Sequence, residues 1–481
     1  MNATIAVLVG YLVILFVMAI WSRTETRSLA GFYLAGKKLP YWVVAFSTNA
    51  TGESGWLLLG LTGMGYAVGL QASWVLLGEI IGVFLSWTLI SRRLKHLSDR
   101  HDSITIPDVL TARFDQKQTA IRLVAVGIIL VMVTTYVTAQ MVASGKALST
   151  FVGLEYGHAV LVSSVIIVGY TFVGGYKAVS YTDVVQGVLM LAGLIVVPIV
   201  GVHAAGGVGA VLDSLRAQDP GLVTFFGEGS VEGWVVAMSF AAIGLPFLGV
   251  PQLLVRYMSV RDEAELKKAR AISVTVIFLF MSGAIVAGMA GRALFPGLAD
   301  SETVFPRMAT ELFPPVLTGV LIVVVLSAIM STVDSLLLLA SSALVRDFFQ
   351  KVRMSPRSDA DLTKLGKLAT VAIGLLGIAF AIPEARFIFW FVLFAWSGLG
   401  AAFGPPVIAI LYDRKVTASG VLAGMLAGFL TSVFWVLFVK SHTYGLYEAI
   451  PGFAAGFAVT WAVSRIDRKG RDHGRQEINS A

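Results

Sequence analysis

Thirteen apolar stretches, most about 20 residues long, recur along the chain, near 3–21, 41–63, 66–91, 123–150, 158–176, 183–205, 233–255, 271–293, 315–344, 368–383, 387–411, 417–439 and 446–465. That length is what an α-helix needs to cross about 30 Å of hydrocarbon. One or two such stretches fit inside a soluble core, but thirteen do not, because a single soluble core cannot hide so much apolar surface. Only 14% of the residues are charged, against about 25% in soluble domains. The expected class is therefore an all-α polytopic membrane protein. A soluble enzyme, a secreted module, a disordered chain and a nucleic-acid binder are poor fits. The net charge of +7 has a simpler source than nucleic acid, since membrane proteins carry basic residues in cytoplasmic loops. The chain has no cysteine and only 6 histidines, which excludes disulfides and thiolate chemistry and leaves little for a transition metal. No transition metal and no organic cofactor are expected.

The second and third stretches are separated only by a Gly-containing turn, and the tenth is short. The first lacks a small-residue cleavage site and has full spanning length, so it reads as retained. If the N-terminus lies outside, 30 of the 36 Lys and Arg residues fall on the inner side. That bias predicts N-out, C-in and an odd number of spans. The loops 92–122 and 345–367 are long enough for short amphipathic helices at the inner surface. A charged tail follows Arg465.

Two stretches are broken in the middle. The second reads Ser47-Thr48-Asn49-Ala50-Thr51-Gly52-Glu53-Ser54-Gly55-Trp56, with small polar residues and glycines where a span should be apolar. The seventh reads Ile243-Gly244-Leu245-Pro246-Phe247-Leu248-Gly249-Val250-Pro251. Its prolines remove backbone donors and crowd the preceding turn. Irregular backbone at membrane depth is tolerated only inside protein or beside a wet cavity. The breaks stand five spans apart, so they open two successive five-helix units, spans two to six and seven to eleven. Five is odd, so the second unit is inverted. That is the layout of a secondary transporter with its site at the midplane. Simple kinking, common where Gly and Pro occur in membrane helices, is the alternative.

Four carboxylates fall within spans: Glu53, Glu79, Asp183 and Asp334. Each needs a partner or water, because a charge near the bilayer centre costs about 2.5–3.5 kcal/mol on insertion scales. Glu53 lies among the carbonyls freed by the first break, a ligand set for a hard cation. Near Asp334, residues Ala328, Ser331, Thr332 and Ser335 share one helix face by three- and four-residue spacing. Two hydroxyls and a carbonyl on that stripe suit an alkali ion, while tight packing of small residues is the other reading. Asp183 stands at the start of the sixth stretch, where it can act as an N-cap. Glu79 has no evident partner and reads as structural.

Rival classes fare worse. Gly52-Glu53-Ser54-Gly55 has a G-x-S-G form, but an intramembrane serine protease needs a base within reach of the serine. His96, His101, His158, His203, His442 and His473 all lie in loops or near span ends. A channel would show repeated filter residues, and a sensor would carry a soluble signalling domain.

Several stretches are distinctive: Ser54-Gly55-Trp56-Leu57-Leu58, then Thr171-Phe172-Val173-Gly174-Gly175-Tyr176-Lys177-Ala178-Val179-Ser180 with Thr182-Asp183 and Gln186, then Met330-Ser331-Thr332. Gly398-Leu399-Gly400-Ala401-Ala402-Phe403-Gly404-Pro405, Leu446-Tyr447-Glu448 and Ile450-Pro451-Gly452-Phe453 complete the set. With these the chain resembles the sodium:solute symporter family, and within it the sodium/proline symporters, from roughly Gly31 to Gly456. The resemblance implies a LeuT-type 5+5 inverted repeat with flanking helices, about 13 transmembrane helices, N-out and C-in. The units implied are a first flanking helix and loop (1–40), a first repeat (41–205), a second repeat (206–411), two C-terminal flanking helices (412–465) and a tail (466–481). The partners implied are a small solute and the lipid bilayer of the cell (inner) membrane, with Na⁺ as coupling ion. L-proline or a related amino acid is the expected solute, with Na⁺- or H⁺-driven symport of a different solute, such as a monocarboxylate or sugar, as alternative.

By the same resemblance, Na⁺ would meet Ala50 and Glu53 through backbone carbonyls, Ala328 through its carbonyl, and Ser331 and Thr332 through hydroxyls. Asp183 matches an aspartate tied to ion coupling. Ser54, Gly55, Tyr136, Ile243, Phe247 and Pro251 would line the solute pocket. Proline symporters carry Asp-Met where this chain has Gly52-Glu53, so the acid has moved by one position. Ile243 and Phe247 replace a Trp and a Tyr, removing two polar handles. Asp334 is outside the proline-symporter pattern and is expected to add a second cation or a proton to the cycle.

Overall fold

A computed structural model of the protein describes residues 2–21, 28–171, 175–227, 229–383 and 388–467. Expectations resting on Arg23, Arg27, Phe172-Val173-Gly174, Arg386 and the tail beyond 467 lie outside the described residues. The first half runs through α1 (Asn2–Trp21), α2 (Leu29–Leu34), α3 (Tyr41–Gly55), α4 (Thr62–Val68), α5 (Ser73–Leu85), α6 (Ser91–Arg100), α7 (Ile106–Thr111), α8 (Gln118–Val152), α9 (Tyr156–Thr171) and α10 (Tyr176–Ala204). The second half follows with α11 (Val208–Gln218), α12 (Val231–Ala241), α13 (Pro251–Ser259), α14 (Leu266–Leu294), α15 (Val304–Leu312), α16 (Pro315–Ser342), α17 (Asp359–Ala381), α18 (Ile388–Tyr412), α19 (Ala418–Phe434) and α20 (Ala449–Ile466). Among the described residues no sheet forms. One isolated pairing, Leu39 with Val260, ties the approach to α3 to the end of α13.

Ten of the described helical runs are long and apolar enough to cross a membrane, and two shorter apolar helices cover Ala6–Met18 and Tyr156–Gly169. One of the ten runs spans Tyr41–Arg100 and turns at Gly69, whose φ of +58° favours glycine. The architecture is layered from the centre outward. In the most apolar window 83% of residues are buried for the α16 and α18 runs, against 28% for the α19 run. Helices α3 and α10 pack on each other and each packs on both α14 and α16, α8 packs on α16 and α18, and α19 pairs with α20. Val165, Ile199, Leu375 and Leu437 stay exposed, as expected of faces that meet lipid.

Two boundaries differ from expectation. The sixth span begins at Tyr176, so Asp183 stands seven residues inside α10 and does not cap it. The tenth is not short. Helix α17 starts at Asp359 because the Ser358 side chain accepts the Asp361 amide, and two acids occupy its first turn, where the helix dipole favours them. The loop 92–122 contains α6 and α7. Thr105 caps α7 by accepting the Asp108 amide at 3.1 Å. Arg122 then joins Asp108 at 2.8 Å to Asp347 at 2.5 Å.

Candidate ion and solute site

The first break is a single backbone event. Ser54 takes φ +52° and ψ −172° inside an otherwise helical run. A non-glycine residue held there is strained by about 1–3 kcal/mol and persists only where its surroundings enforce it. Here Gln140 of α8 enforces it: its Oε1 accepts the Gly55 amide at 3.0 Å and its Nε2 donates to Ser54 Oγ at 3.3 Å. Ser54 Oγ also accepts the Trp56 amide at 3.1 Å. Gly55 must be glycine, because a Cβ there would stand 2.8 Å from Ile329 Cγ1.

The second break is a tight helical turn over Ala242–Leu248 between α12 and α13, with Pro246 inside it and Pro251 at the first position of α13. Helix α5 lies directly on it. A Cβ on Gly244 would sit 1.9 Å from the Gly78 carbonyl oxygen. Ser86 Oγ donates to the Phe247 carbonyl at 2.8 Å, and Trp396 Nε1 donates to the Ile243 carbonyl at 3.4 Å. The Trp396 ring receives Tyr136 and Phe247 edge to face, with centroids 6.3 and 5.1 Å away. Tyr136, Ile243 and Phe247 are all buried.

The expected ion ligands converge where α16 crosses the first break. Ser331 Oγ donates to the Ala50 carbonyl at 2.8 Å, and Thr332 Oγ1 donates to the neighbouring Thr51 carbonyl at 3.0 Å. Both hydroxyls also reach the Ala328 carbonyl, at 3.1 and 3.3 Å. The Glu53 carbonyl, one turn along, accepts the Trp56 amide. Hard oxygen donors from two helices thus meet in a fully buried position, which suits an alkali cation. Among the described residues, no group of three His, Cys, Asp or Glu side chains could hold a metal ion.

Asp183 sits beside this crossing, and the group that faces it is Arg256. Arg256 directly follows the seventh apolar stretch, 233–255, yet it is only 1% exposed. Its Nη2 donates to Asp183 Oδ2 at 3.0 Å, to Thr51 Oγ1 at 2.5 Å and to Ser335 Oγ at 2.6 Å. Its Nε donates to Ser47 Oγ at 2.9 Å. One guanidinium therefore joins α3, α10, α13 and α16 on one side of the breaks. Asp334 is buried on α16 within electrostatic range of Tyr11.

On the other side of the breaks, just before α15, lies Glu302. Its carboxylate accepts the amides of Ile388 and Phe389 at 2.9 and 2.8 Å, at the start of α18, and pairs with Lys146 of α8 at 2.8 Å. A carboxylate on a helix N-terminus is stabilised by the freed amides and the dipole. Glu79, expected to lack a partner, faces Glu53.

Sequence reasoning missed Gln140, Arg256, Trp396 and Glu302. Gln140 had a signal: an amide four residues after Tyr136, on the same helix face. The serine of G-x-S-G contacts an amide side chain and a backbone amide, not a histidine, so the site has no protease geometry.

Comparison with known proteins supports the same fold. A sodium-coupled sialic acid symporter solved in a substrate-bound, outward-open state superposes with a TM-score of 0.80 at 18% identity, covering 96% of this chain and 98% of that one. MhsT, solved with L-phenylalanine, superposes with a TM-score of 0.51 at 16% identity, covering 88% and 98%. These likenesses show a LeuT-type helical fold. The high-affinity proline transporter PutP of Bacillus subtilis (strain 168) is 37% identical over 445 residues, 92% of this chain and 93% of that one. A sodium/proline symporter of Staphylococcus aureus is 33% identical over 472 residues, 95% and 92%. These relatives are transporters, not enzymes. A sequence profile of the sodium:solute symporter family matches residues 32–428. With both breaks, the Ser331–Thr332 crossing and this match in agreement, the chain belongs to the sodium:solute symporter family.

Proposed function

We propose that the protein couples Na⁺ entry to uptake of L-proline, or a closely related amino acid, across the cell membrane by alternating access. The observation that carries the reading is the crossing of α16 over the first break, where two hydroxyls meet the carbonyls of Ala50, Thr51 and Ala328. Na⁺ is cargo in this scheme. It takes the carbonyls of Ala50, Glu53 and Ala328 and the hydroxyls of Ser331 and Thr332. The solute binds beside it, among Ser54, Gly55, Tyr136, Ile243, Phe247 and Pro251. Its ring would pack on Phe247 and the Trp396–Tyr136 aromatic pair.

Thirteen spans arranged as two inverted five-helix repeats (41–205 and 206–411), with flanking helices at 1–40 and 412–465 and a cytoplasmic tail, agree with the two breaks. The basic bias supports N-out and C-in. In that orientation Arg256 and Asp183 seal the inner path, and Glu302 with Lys146 seals the outer one. Asp183 couples ion to gate because its neighbours Ser47 and Thr51 belong to the helix that carries Ala50. Asp334 adds a second cation or a proton to the cycle; unchanged Na⁺ stoichiometry and pH dependence in Asp334→Asn would remove it.

Coupling requires that Na⁺ bind the outward-open form more tightly, since a ligand with equal affinities shifts nothing. The membrane potential then supplies about 2.3 kcal/mol per charge per 100 mV. Uptake into vesicles under an imposed Na⁺ gradient tests the reading, with L-proline set against other amino acids, monocarboxylates and sugars. Proline should accumulate only with the gradient. Uptake that is absent, or indifferent to Na⁺, contradicts the proposal.

A further inference from the structure

The ion site uses the backbone carbonyl of Glu53 and leaves its side chain over. Glu53 projects from the first break. Glu79 projects from the part of α5 that presses on the second: a Cβ on Gly78 would stand 2.2 Å from the Ala241 carbonyl oxygen, and one on Gly82 would stand 2.1 Å from that of Gly244. One carboxyl therefore comes from the first break and the other from the helix packed on the second break, and they face each other. Glu53 is 0% and Glu79 2% exposed. Apart from each other, neither oxygen of Glu53 nor Oε2 of Glu79 has a hydrogen-bond partner among the described residues.

No basic side chain acts on either carboxyl; each is the other's neighbouring charge. Buried carboxylates are paired or ligate a cation. The pair is therefore satisfied either by a proton held between the two carboxyls or by a positive charge that enters beside the solute pocket. Tyr136 lies within electrostatic range of both acids and Tyr447 within range of Glu79. The amides freed by the first break offer no matching invitation to an anion, because Gln140 and Ser54 already accept from Gly55 and Trp56.

We propose that Glu53 and Glu79 form the seat for a positively charged nitrogen of the transported solute, each carboxyl accepting one N–H. This rests on the transport reading above and adds the recognised group: an ammonium with at least two N–H donors. The ring nitrogen of proline has two. Na⁺ at the neighbouring carbonyls offsets the second negative charge. The solute's carboxylate is the weaker determinant.

The test measures Na⁺-dependent binding in proteoliposomes of the full chain, using L-proline, prolinamide and N-acetylproline as competitors. Prolinamide keeps the charged amine and lacks the carboxylate; N-acetylproline keeps the carboxylate and lacks the charged amine. Prolinamide should bind at least about tenfold better than N-acetylproline, the weight of a charge-assisted hydrogen bond. Glu79→Gln should shrink that ratio and Glu79→Asp should keep most of it, a pattern that general loss of packing does not produce. Equal competition by the two analogues in the unmodified protein overturns the proposal, as does an unchanged ratio in Glu79→Gln. A fall in Na⁺ stoichiometry in Glu79→Gln with the ratio intact would make the pair a cation site instead. If proline is transported but N-acetylproline competes like prolinamide, this inference fails and the transport reading stands. If other amines bind through Glu79 and proline does not, the proline reading fails and this inference stands.

Discussion

The two ends of the candidate site are held by different chemistry. At one end Arg256 and Asp183 are 1% and 0% exposed, and a single guanidinium knits four helices through side-chain oxygens. At the other, Glu302 caps the start of α18 through backbone amides, and its partner Lys146 keeps 10% of its side-chain surface in solvent. The first closure is dry, forked and dependent on one side chain. The second is shared between backbone, a helix dipole and a lysine nearer to water. A seal that depends on one buried ion should fail completely when that ion goes. A seal distributed over backbone groups should only loosen.

Arg256→Ala should therefore have the largest effect. It leaves Asp183 buried with no cation, and removing one partner of a buried pair costs about 3–5 kcal/mol. Arg256→Lys cannot restore the fork. The chain has no cysteine, so a single Cys at Thr48 reports opening by its alkylation rate, which should rise sharply in Arg256→Ala. Glu302→Gln comes next. Weakening charge-assisted bonds costs about 1.5–3 kcal/mol, and a Cys at Thr62 should label faster while that at Thr48 does not. Equal labelling at both positions in both variants would erase the contrast.

Ser331→Ala combined with Thr332→Ala acts between the two closures. It should lower apparent Na⁺ affinity roughly tenfold, as expected from losing two hydroxyl contacts, with both closures intact. Unchanged Na⁺ dependence would remove these hydroxyls from the site. The smallest effect concerns Asp108, beyond the Arg256 end. Burial alone would raise its pKa, but Arg346 and Arg122 hold it below the usual carboxylate range. Its contribution is therefore complete above the ordinary value of about 3.9 and lost as pH falls through the depressed folded value. Thermal melting in detergent should weaken in that acid window, and Asp108→Asn should flatten the dependence.

Much of this was legible in the sequence because it is written in backbone chemistry. Gly52, Gly55, Pro246 and Pro251 mark the breaks by what they do to helical hydrogen bonds, wherever they pack. The Ala328–Ser331–Thr332 face follows from helix spacing alone. What the sequence hid depends on which helix lies against which. Arg256 sits five residues after Pro251, and charge counting places it with the inner loops; only the approach of α3, α10 and α16 makes it a buried clasp. Glu79 looked solitary because its partner is on another helix, reached through the glycine contact between α5 and the second break. Asp183 read as a cap because the stretch before it is polar, yet α10 begins at Tyr176.

The central claim is coupling of solute to ion, and flux in the reverse sense tests it most directly. Proteoliposomes with equal Na⁺ on both sides and an inward gradient of L-proline should show proline-driven entry of radioactive sodium. In the Ser331→Ala, Thr332→Ala double variant that entry should need roughly tenfold more sodium to reach the same rate. Proline entry with no accompanying sodium would contradict the account.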